Sequence, residues 1–523
     1  MAFAAAGLAQ GNNATLSQVG TSQTSEQKQS GNWLTSTVTQ GTGNNTAINT
    51  FNKALTDQTG QGQTATVLQA GNADYNQAVI TQPTGSGNGA TVTQQNNSGG
   101  TSLRSTSPGI GTAGTGNYGT VLQKGVGNTS SVTQQNVSSG NFGSAMQYGG
   151  GNGSVITQSG VSTGNSAQID QGTASGTVNG NQALISQQQI SSFNDATITQ
   201  ASGGNTAEIY ETAVSSNNMA RINQSVNDGN IGTIRQQNVS SRNEANLAQL
   251  GGGNIGTITQ SNVSGGIGEG NTANLYQLGN SNNQTSIDQS NISFRNTADL
   301  NQYGSNNQET RISQLNNSRR NTARIDQGGD GPTGSNGAYG TLVNGAKAII
   351  EQNNNSRDNT ARIGQSGNWH NARIEQNGDV ANSEAYIDQF PSAANTGLID
   401  QTSSRNNVAR ITQNRLTSPA GSNNTAEVYQ GNNSSGLSRR NTTTVTQESF
   451  GNQSRNEQLG NDNTALISQL GNANIVKGVG GDNIARQSGT MNQLTVDQTG
   501  NVNTANLSQI GMGNGITVTQ SSN

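Results

Sequence analysis

The sequence predicts an all-β fold, a β-solenoid of about 20 stacked two-stranded coils with roughly 25 residues in each coil. One observation is the composition, which is too poor in apolar residues for a conventional core and is rich in Asn, Gln, Ser, Thr and Gly. The other is a seven-residue phrase that recurs along the chain with the period of a β-strand. Strand, turn, strand and turn complete one coil, and stacked coils give the parallel strands of a cross-β fibre.

The composition narrows the classes of protein that this chain can represent. Of 523 residues, 28% are hydrophobic and 3% aromatic, well below the usual apolar share. Disorder usually accompanies high net charge, whereas here 10% of residues are charged and the formal net charge is -4. Such a balance provides no field that would draw nucleic acid onto the whole surface. The absence of Cys excludes disulfides and thiolate metal sites, and it suits a chain that crosses a membrane unfolded.

The N-terminal segment, residues 1–11, precedes the repeats and consists mainly of small apolar residues. It lacks a basic start and is too short for a complete signal peptide, so we interpret it as the remnant of a trimmed secretory signal, with a frayed natural terminus as the alternative. No apolar run approaches the length of about 20 residues that crosses a bilayer, and we therefore expect no membrane insertion.

The repeated phrase is Asn-x-(Ala/Thr/Gly)-x-(Ile/Leu/Val)-x-Gln. Regular copies run from residue 12 to residue 520, which predicts one continuous solenoid over 12–520 and a short tail at 521–523. In the clearest stretch the phrases begin 12 or 13 residues apart, at Asn271, Asn283, Asn296, Gln308 and Asn321. Two phrases therefore fill one coil.

Side chains alternate between the two faces of a strand, so the four marked residues of each phrase share one face. The variable slots carry charged and hydroxyl residues such as Arg324 and Asp326, which identifies their face as the solvated one. We therefore expect the Asn and Gln residues to point inward and to form amide ladders along the coil axis. The predicted ladder residues are Asn218, Gln224, Asn243, Gln249, Asn254, Gln260, Asn271, Gln277, Asn283, Gln289, Asn296, Gln302, Gln314, Asn321, Gln327, His370, Gln376, Asn503, Gln509 and Gln520.

His370 is the only His and occupies the Asn slot of its phrase, so we interpret it as a ladder substitute. A single His provides neither a general-base pair nor a His-based metal site. The Gly-rich stretches lack the Gly-Lys-Ser/Thr ending of a phosphate loop. We therefore expect no catalytic residues, no metal and no cofactor.

The segments between phrases are of two kinds, one rich in Gly and one that often ends in Arg-Asn. Longer insertions near 99–116, 328–345 and 414–423 contain Pro residues and are expected at coil corners, where Pro removes no ladder bond. The turn arginines Arg242, Arg295, Arg320, Arg405 and Arg440 are expected along one edge. They are interpreted as solvated gatekeepers against sideways association, with an anion-binding edge for extracellular DNA or acidic polysaccharide as the alternative.

A regular phrase at each end of the repeat region leaves open ladder positions and unpaired backbone groups, with no polar capping repeat in the pattern. An interface of this kind does not close on itself and produces filaments. The pattern therefore predicts head-to-tail polymerisation.

The spacing of Gln249, Gly251, Asn254, Gly256 and Gln260 resembles the curlin repeat of bacterial curli. The resemblance implies an extracellular functional amyloid of biofilm matrix, secreted unfolded through an outer-membrane pore and sometimes seeded by a nucleator subunit. The chain departs from that pattern because its alternate strands usually open with Asn instead of Ser and because Arg occurs at one turn.

Two other classes of function stay open. Outward Thr-x-Thr pairs such as Thr91 and Thr93 are typical of a monomeric surface-binding solenoid, for instance an ice-binding protein or an adhesin. A polysaccharide lyase on a β-helix would need acidic and basic residues clustered in a groove, and the sequence offers a repeat instead.

Overall fold

Each regular phrase forms a β-strand in the computed structural model of the chain, beginning just after the Asn of the phrase. The strand Met219–Ser225 is typical, because Ala220, Ile222 and Gln224 are buried while the side chains between them are partly or fully exposed. The structure describes residues 11–41, 51–71, 74–95, 116–136, 138–172, 180–226, 228–238, 240–261, 270–279, 283–303, 309–328, 345–413, 423–431, 438–480 and 483–522.

The chain divides into two units, one of Met1–Gly253 and Thr257–Asn262 and the other of Asn254–Gly256 and Val263–Asn523. Strands of the first unit are β1 (Asn13–Gln18), β2 (Thr24–Asn32), β3 (Thr35–Gln40), β4 (Lys53–Gln61), β5 (Thr64–Ala70), β6 (Gln77–Ser86), β7 (Gly89–Gln95), β8 (Tyr118–Val126), β9 (Thr129–Gln135), β10 (Ser138–Ser139), β11 (Phe142–Gly150), β12 (Gly153–Thr163), β13 (Ser166–Gln171), β14 (Gln182–Ser192), β15 (Asp195–Gln200), β16 (Thr206–Thr212), β17 (Ser215–Ser216), β18 (Met219–Ser225), β19 (Ile231–Gln237), β20 (Ser240–Ser241) and β21 (Glu244–Leu250).

The next strand, β22 (Ile255–Ser261), is divided between the two units. Strands of the second unit are β23 (Thr272–Leu278), β24 (Gln284–Ser290), β25 (Thr297–Tyr303), β26 (Thr310–Ser313), β27 (Thr322–Gln327), β28 (Lys347–Glu351), β29 (Thr360–Asn368), β30 (Asn371–Glu375), β31 (Glu384–Ala393), β32 (Thr396–Asp400), β33 (Ser404–Arg405), β34 (Val408–Gln413), β35 (Thr425–Gln430), β36 (Ser438–Arg439), β37 (Thr442–Glu448), β38 (Gln453–Asn461), β39 (Thr464–Leu470), β40 (Ile475–Lys477), β41 (Ala485–Thr490), β42 (Gln493–Thr499), β43 (Thr504–Asn506), β44 (Ser508–Met512) and β45 (Gly515–Ser521).

Within each unit the phrases alternate between two parallel sheets, so that every second phrase stacks on the same sheet. In the first unit, β12 pairs with β14 in one sheet and β13 pairs with β15 in the other. The register places equivalent residues side by side, as where Ala220 pairs with Ala245 and Ile222 with Leu247. The predicted parallel β-solenoid with coils of about 25 residues is therefore confirmed.

The described strands of the two units make about 17 turns, fewer than the predicted 20. Insertions account for the difference, because stacked equivalents such as Gln82 and Gln123 are 41 residues apart. The predicted N-terminal remnant and the predicted insertions lie almost entirely outside the described residues. The described part of the chain contains no helix with the length and apolar character needed to cross a membrane.

The core of each coil is a thin row of aliphatic side chains between the two sheets. Ile156, Ile185, Ile209 and Ile234 occupy equivalent slots on successive strands, and each is fully buried. Burying one such side chain contributes about 1.5 to 3 kcal/mol. Since most strands supply only one large aliphatic residue, the inward amides must also hold the coil.

At one corner the backbones of successive coils approach too closely for any side chain. A Cβ atom built on Gly85 would lie 1.7 Å from the carbonyl oxygen of Gly125, and one on Gly125 would lie 1.8 Å from that of Gly149. Both Gly85 and Gly125 have φ above +110°, a region that side-chain-bearing residues rarely adopt. The Gly-rich turns of the sequence therefore mark this corner.

Candidate functional site

Buried Gln side chains connect each coil to the next and also connect the two sheets. In the first unit, Gln134 Nε2 donates to Gln158 Oε1 at 2.8 Å, and Gln158 Nε2 donates to Gln187 at the same distance. Gln134 Nε2 also donates to the carbonyl oxygens of Tyr118 and Asn141, at 3.2 and 3.1 Å, on the opposite sheet. One amide therefore holds three neighbours, which explains why Gln ends nearly every phrase.

In the second unit the Gln side chains form the same kind of ladder, and the hydrogen bonds again run from the earlier coil to the later one. Gln277 donates to Gln302, Gln302 to Gln327 and Gln327 to Gln365, always from Nε2 of the earlier coil to Oε1 of the later one. On the other sheet, Gln289 donates to Gln314 at 2.8 Å. Hydrogen bonds aligned in one direction polarise one another, so each ladder has a defined polarity along the coil axis.

The Asn slot forms a second ladder that caps the start of each strand. The backbone N–H of Asn243 donates to Asn218 Oδ1, and that of Asn321 donates to Asn296 Oδ1, both at 3.0 Å. Asn296 Nδ2 donates in turn to the Ser318 hydroxyl of the next coil at 2.9 Å. Each Asn side chain therefore satisfies a backbone donor at a corner where the strand ladder begins.

The structure places most of the predicted ladder residues in buried positions. Those less than 4% exposed are Asn218, Gln224, Asn243, Gln249, Asn254, Gln260, Asn271, Gln277, Asn283, Gln289, Asn296, Gln302, Gln314, Asn321, Gln327, His370, Gln376 and Gln509. Asn503 and Gln520 are only half-buried, although Gln498 still donates to Gln520 Oε1 at 2.8 Å.

His370 reproduces both hydrogen bonds of the Asn that it replaces. Its Nε2 donates to the carbonyl of Ser366 at 2.9 Å, and its Nδ1 accepts the backbone N–H of Asn395 at 3.3 Å. Burial lowers the pKa of His370 to about 4, although the bond to Ser366 acts in the opposite direction. The ring is therefore neutral at pH 7. This agrees with the geometry, because a protonated imidazole has no nitrogen that could accept the N–H of Asn395.

Glu211 is a ladder residue that sequence reasoning missed. It lies in the Gln slot of β16, fully buried, and Gln187 Nε2 donates to its Oε2 at 2.7 Å. Its other oxygen, Oε1, and Oε1 of its register partner Gln236 both lie buried without a hydrogen-bond partner among the described residues. Burial, with a smaller contribution from the charge of Asp195, raises the pKa of Glu211 to about 8, although the hydrogen bond from Gln187 acts in the opposite direction.

Protonation of Glu211 resolves these two unpaired oxygens. A carboxylic acid has one O–H donor, which can serve the acceptor on Gln236 as the N–H of a Gln would. An ionised carboxylate would instead face another oxygen inside a buried ladder. The signal was present in the sequence, since Glu211 stands at the Gln position of the phrase that begins at Asn205.

A second departure is a polar layer within the core of the second unit. In β38 the slots for small and aliphatic residues hold Ser454 and Asn456, which are fully buried. Asn456 Nδ2 donates to the Thr443 hydroxyl at 3.2 Å, and that hydroxyl donates to Gln458 Oε1 at 2.7 Å. Hydrogen bonding through Asn456 Nδ2 therefore takes the place of part of the aliphatic packing, while Ser454 Oγ and Asn456 Oδ1 are buried without a hydrogen-bond partner among the described residues.

Corner arginines of the second unit lie in two adjacent columns, one residue apart in sequence. The first column contains Arg319, Arg357, Arg405 and Arg439, joined coil to coil by backbone pairing through Ala381. The second column has positive φ and includes Arg295, Arg320 and Arg440. We call these seven residues the arginine edge. The predicted Arg405 therefore belongs to the first column. Arg242 has a positive φ at a corner of the first unit, so it is not part of the arginine edge.

Sequence reasoning missed Arg319, Arg357 and Arg439, because each precedes the positive-φ residue at its corner. Two members of the second column are held by acids in the next coil. Arg320 makes two hydrogen bonds to Asp358, and Arg440 makes two to Asp462. No group of three or more His, Cys, Asp and Glu residues that could hold a metal ion occurs in the part of the chain that the structure describes.

Two segments of the chain, residues 357–390 and 439–471, match the family described as Curlin associated repeat. The first segment contains β29 and β30, and the second contains β37, β38 and β39. No curated protein gave a significant match to the chain. The predicted resemblance to curlin repeats is thereby confirmed.

Proposed function

We propose that this chain, a curlin-like repeat protein, is a structural subunit that assembles head to tail into extracellular amyloid-like filaments. The proposed role is structural, because the chain supplies stacked coils to a fibre that serves in biofilm matrix or in adhesion. The proposed partners are further copies of the same chain, a nucleator subunit and an outer-membrane secretion pore.

The observation that carries the proposal is that one coil face is complementary to the next by simple translation. In the second unit, Ala298 of β25 pairs directly with Ala273 of β23. Leu300 likewise pairs with Leu275, without any shift in register. The Gln amides of these strands all donate in one direction. A coil from a second copy, presented in the same orientation, therefore finds the same partners as a coil of the same chain.

An uncovered coil face leaves ladder positions without the partners that a neighbouring coil provides, which favours assembly. Each face carries Gln and Asn side chains that would otherwise form ladder bonds, together with the backbone groups of two strands. A buried polar group left without a partner costs about 1 to 3 kcal/mol. Stacking of a second copy satisfies these groups. Because successive copies are related by a translation and not by a rotation that closes a ring, repeated stacking gives an open filament.

Electron microscopy and fibre diffraction of the purified chain test the proposal. We expect unbranched filaments from micromolar protein in denaturant-free buffer, with a reflection near about 4.8 Å along the fibre axis. We also expect preformed filaments to shorten the lag of fresh protein. Particles that stay monomeric under all these conditions would contradict head-to-tail assembly.

A ladder variant tests whether the buried amides direct the assembly. Replacement of Gln277, Gln302 and Gln327 by Glu stacks three carboxyl groups, which should block filaments at pH 7 because each group must take up a proton from solution before it can be buried in the ladder. At pH 4 the same groups can be protonated and donate as Glu211 does, so filaments should return. The control is Arg324→Gln on the solvated face of β27, which should assemble normally at both pH values. Equal losses in both proteins would contradict the ladder mechanism.

A surface-binding monomer is the second candidate, and the outward Thr residues favour it over a limited area. Thr37, Thr66 and Thr91 lie side by side on β3, β5 and β7. Thr15 of β1 lies beside Thr37 and belongs to the same row. The row continues from Thr91 as Ser131 and then Val155, so the regular threonine array ends after four strands. If the chain stays monomeric, an ice-recrystallisation assay is the next test of this candidate.

A further inference from the structure

We propose that the arginine edge of the second unit binds an acidic polysaccharide, whose carboxylates align with the guanidinium groups along the coil axis. The inference concerns a lateral surface of the solenoid and does not depend on whether the chains assemble. It gives the protein a second role, the attachment of a carboxylated polymer to the side of the solenoid.

The edge carries a local charge opposite to that of the chain as a whole. Among its seven arginines, two pair with Asp358 and one pairs with Asp462, in a chain of formal net charge -4. Arg319, Arg405 and Arg439 form no ion pair within the residues that the structure describes, and the last two are exposed. These guanidinium groups are available to an external anion.

The spacing along the edge suits a linear polyanion. Backbone pairing places Arg319 beside Arg357 and Arg405 beside Arg439, with Ala381 between the two pairs. Adjacent strands lie about 4.8 Å apart, so the first column presents a repeated cation along a straight line. Each guanidinium is a planar fork that pairs with a carboxylate through two parallel hydrogen bonds.

The surroundings of the edge favour a thin chain over a nucleic acid. On the adjoining sheet, the outward residues Glu351, Glu375 and Asp400 lie in register and form a row of acids. Arg311 and Arg373 pair with the first two of these acids, and Asp400 extends the row. A duplex is broad enough to approach that row, whereas a single polysaccharide chain can follow the corner alone. Single-stranded nucleic acid is held largely by aromatic stacking, and Phe294 is the one aromatic residue in the first column.

Binding of the full-length chain to immobilised alginate tests the proposal, with dextran as the neutral polysaccharide and duplex DNA as the competing polyanion. We expect saturable binding to alginate that weakens as NaCl rises, and no binding to dextran. The variant carries Arg319→Gln, Arg357→Gln, Arg405→Gln and Arg439→Gln, and we expect it to bind alginate roughly tenfold more weakly or worse.

The matched control removes the same number of arginines from the sheet faces. Arg324 and Arg362 contact Asp326, Arg373 contacts Glu351, and Arg410 lies over the Tyr386 ring. Replacing these four by Gln should leave the affinity for alginate within about twofold, since their charges are already paired or stacked. A further variant with Lys at the four edge positions should bind with intermediate affinity, because it keeps the charge and loses the fork.

Three outcomes would overturn the proposal. The first is an absence of alginate binding by the wild-type chain at low salt. The second is an equal loss in the edge variant and in the sheet-face control, which would reduce the effect to total charge. The third is tighter, edge-dependent binding of duplex DNA than of alginate, which would assign the surface to nucleic acid instead.

Discussion

Replacement of Glu211 by Gln should stabilise the first unit, although it removes a native side chain from the interior. Gln supplies a permanent N–H donor at the place where Glu211 must hold a proton to face Gln236. The gain should depend on pH in a way that a change in packing does not. The substitution therefore tests whether the ladder requires a protonated carboxyl group.

The size of the effect follows from the pKa of Glu211, which burial raises from 4.5 to about 8. A carboxyl group whose pKa is raised on folding binds more protons in the folded state, so stability falls as pH rises from 4.5 towards 8 and then levels off. Each unit of pKa corresponds to about 1.4 kcal/mol. At pH 7 the gain from Glu211→Gln should thus be about 3 kcal/mol, at pH 9 about 5 kcal/mol, and at pH 4 close to zero.

Hydrogen exchange measured by mass spectrometry provides a local assay, which suits a repeat chain that does not unfold in a single step. Protection of peptides that cover β14, β16 and β19 is compared at pH 4, 7 and 9 after correction for intrinsic exchange. The matched control is Glu208→Gln on the solvated face of the same strand, where Glu208 accepts a hydrogen bond from Tyr210.

We expect Glu211→Gln to raise protection of these strands at pH 7 and 9, and the control to match the wild-type chain. The reasoning is refuted if the Glu211→Gln chain retains the pH dependence of the wild type. It is also refuted if the variant is less protected at pH 7, because a Gln in that slot would then be a poorer ladder member than the native carboxyl group.

Three other perturbations have defined outcomes. Since burial lowers the pKa of His370 to about 4, stability is lost as pH falls from 6.5, and His370→Asn should protect β30 by up to about 3 kcal/mol at pH 4 in hydrogen exchange. Gly125→Ala should cost clearly more than about 2 kcal/mol and increase proteolysis, because the Cβ meets a carbonyl at a positive φ. Gly127→Ala meets open space and has only the strain of its positive φ, so it should cost about 1 to 2 kcal/mol. Arg320→Gln breaks an exposed ion pair and should leave the thermal unfolding temperature almost unchanged, so a clear drop in that temperature would contradict its solvated character.

The regular part of the fold could be predicted from sequence because its information is local. Alternation within one phrase places Ile222 and Gln224 on the same face, and the recurrence of that phrase fixes which residues stack. Both signals survive changes in loop length. Equivalent residues pair even between β6 and β8, whose connection is long, although the uneven spacing of the phrases before residue 200 leaves this register unpredicted from the sequence.

What the sequence did not predict depends on contacts between coils. The protonation of Glu211 can be inferred only from its position beside Gln236. Insertions of variable length conceal which phrases are neighbours, so the sequence alone does not show that position. The first arginine column was missed for a related reason. Arg319 and Arg357 become adjacent only when the coil between residues 320 and 357 closes, and that coil includes a long insertion.

The substitutions within the ladders show that hydrogen-bond roles, and not residue names, define each slot. The Asn slot needs an acceptor for the backbone N–H of the next coil, and His370 and Ser383 both provide one, to Asn395 and Asn407 respectively. Every such bond runs from the later coil back to the earlier one. A second copy that stacked in the reverse orientation would bring like groups together, acceptor against acceptor in one of the two slots and donor against donor in the other. Each buried group left unpaired in this way costs about 1 to 3 kcal/mol. If the chain assembles through these faces, its filaments must therefore be polar, with all subunits pointing the same way.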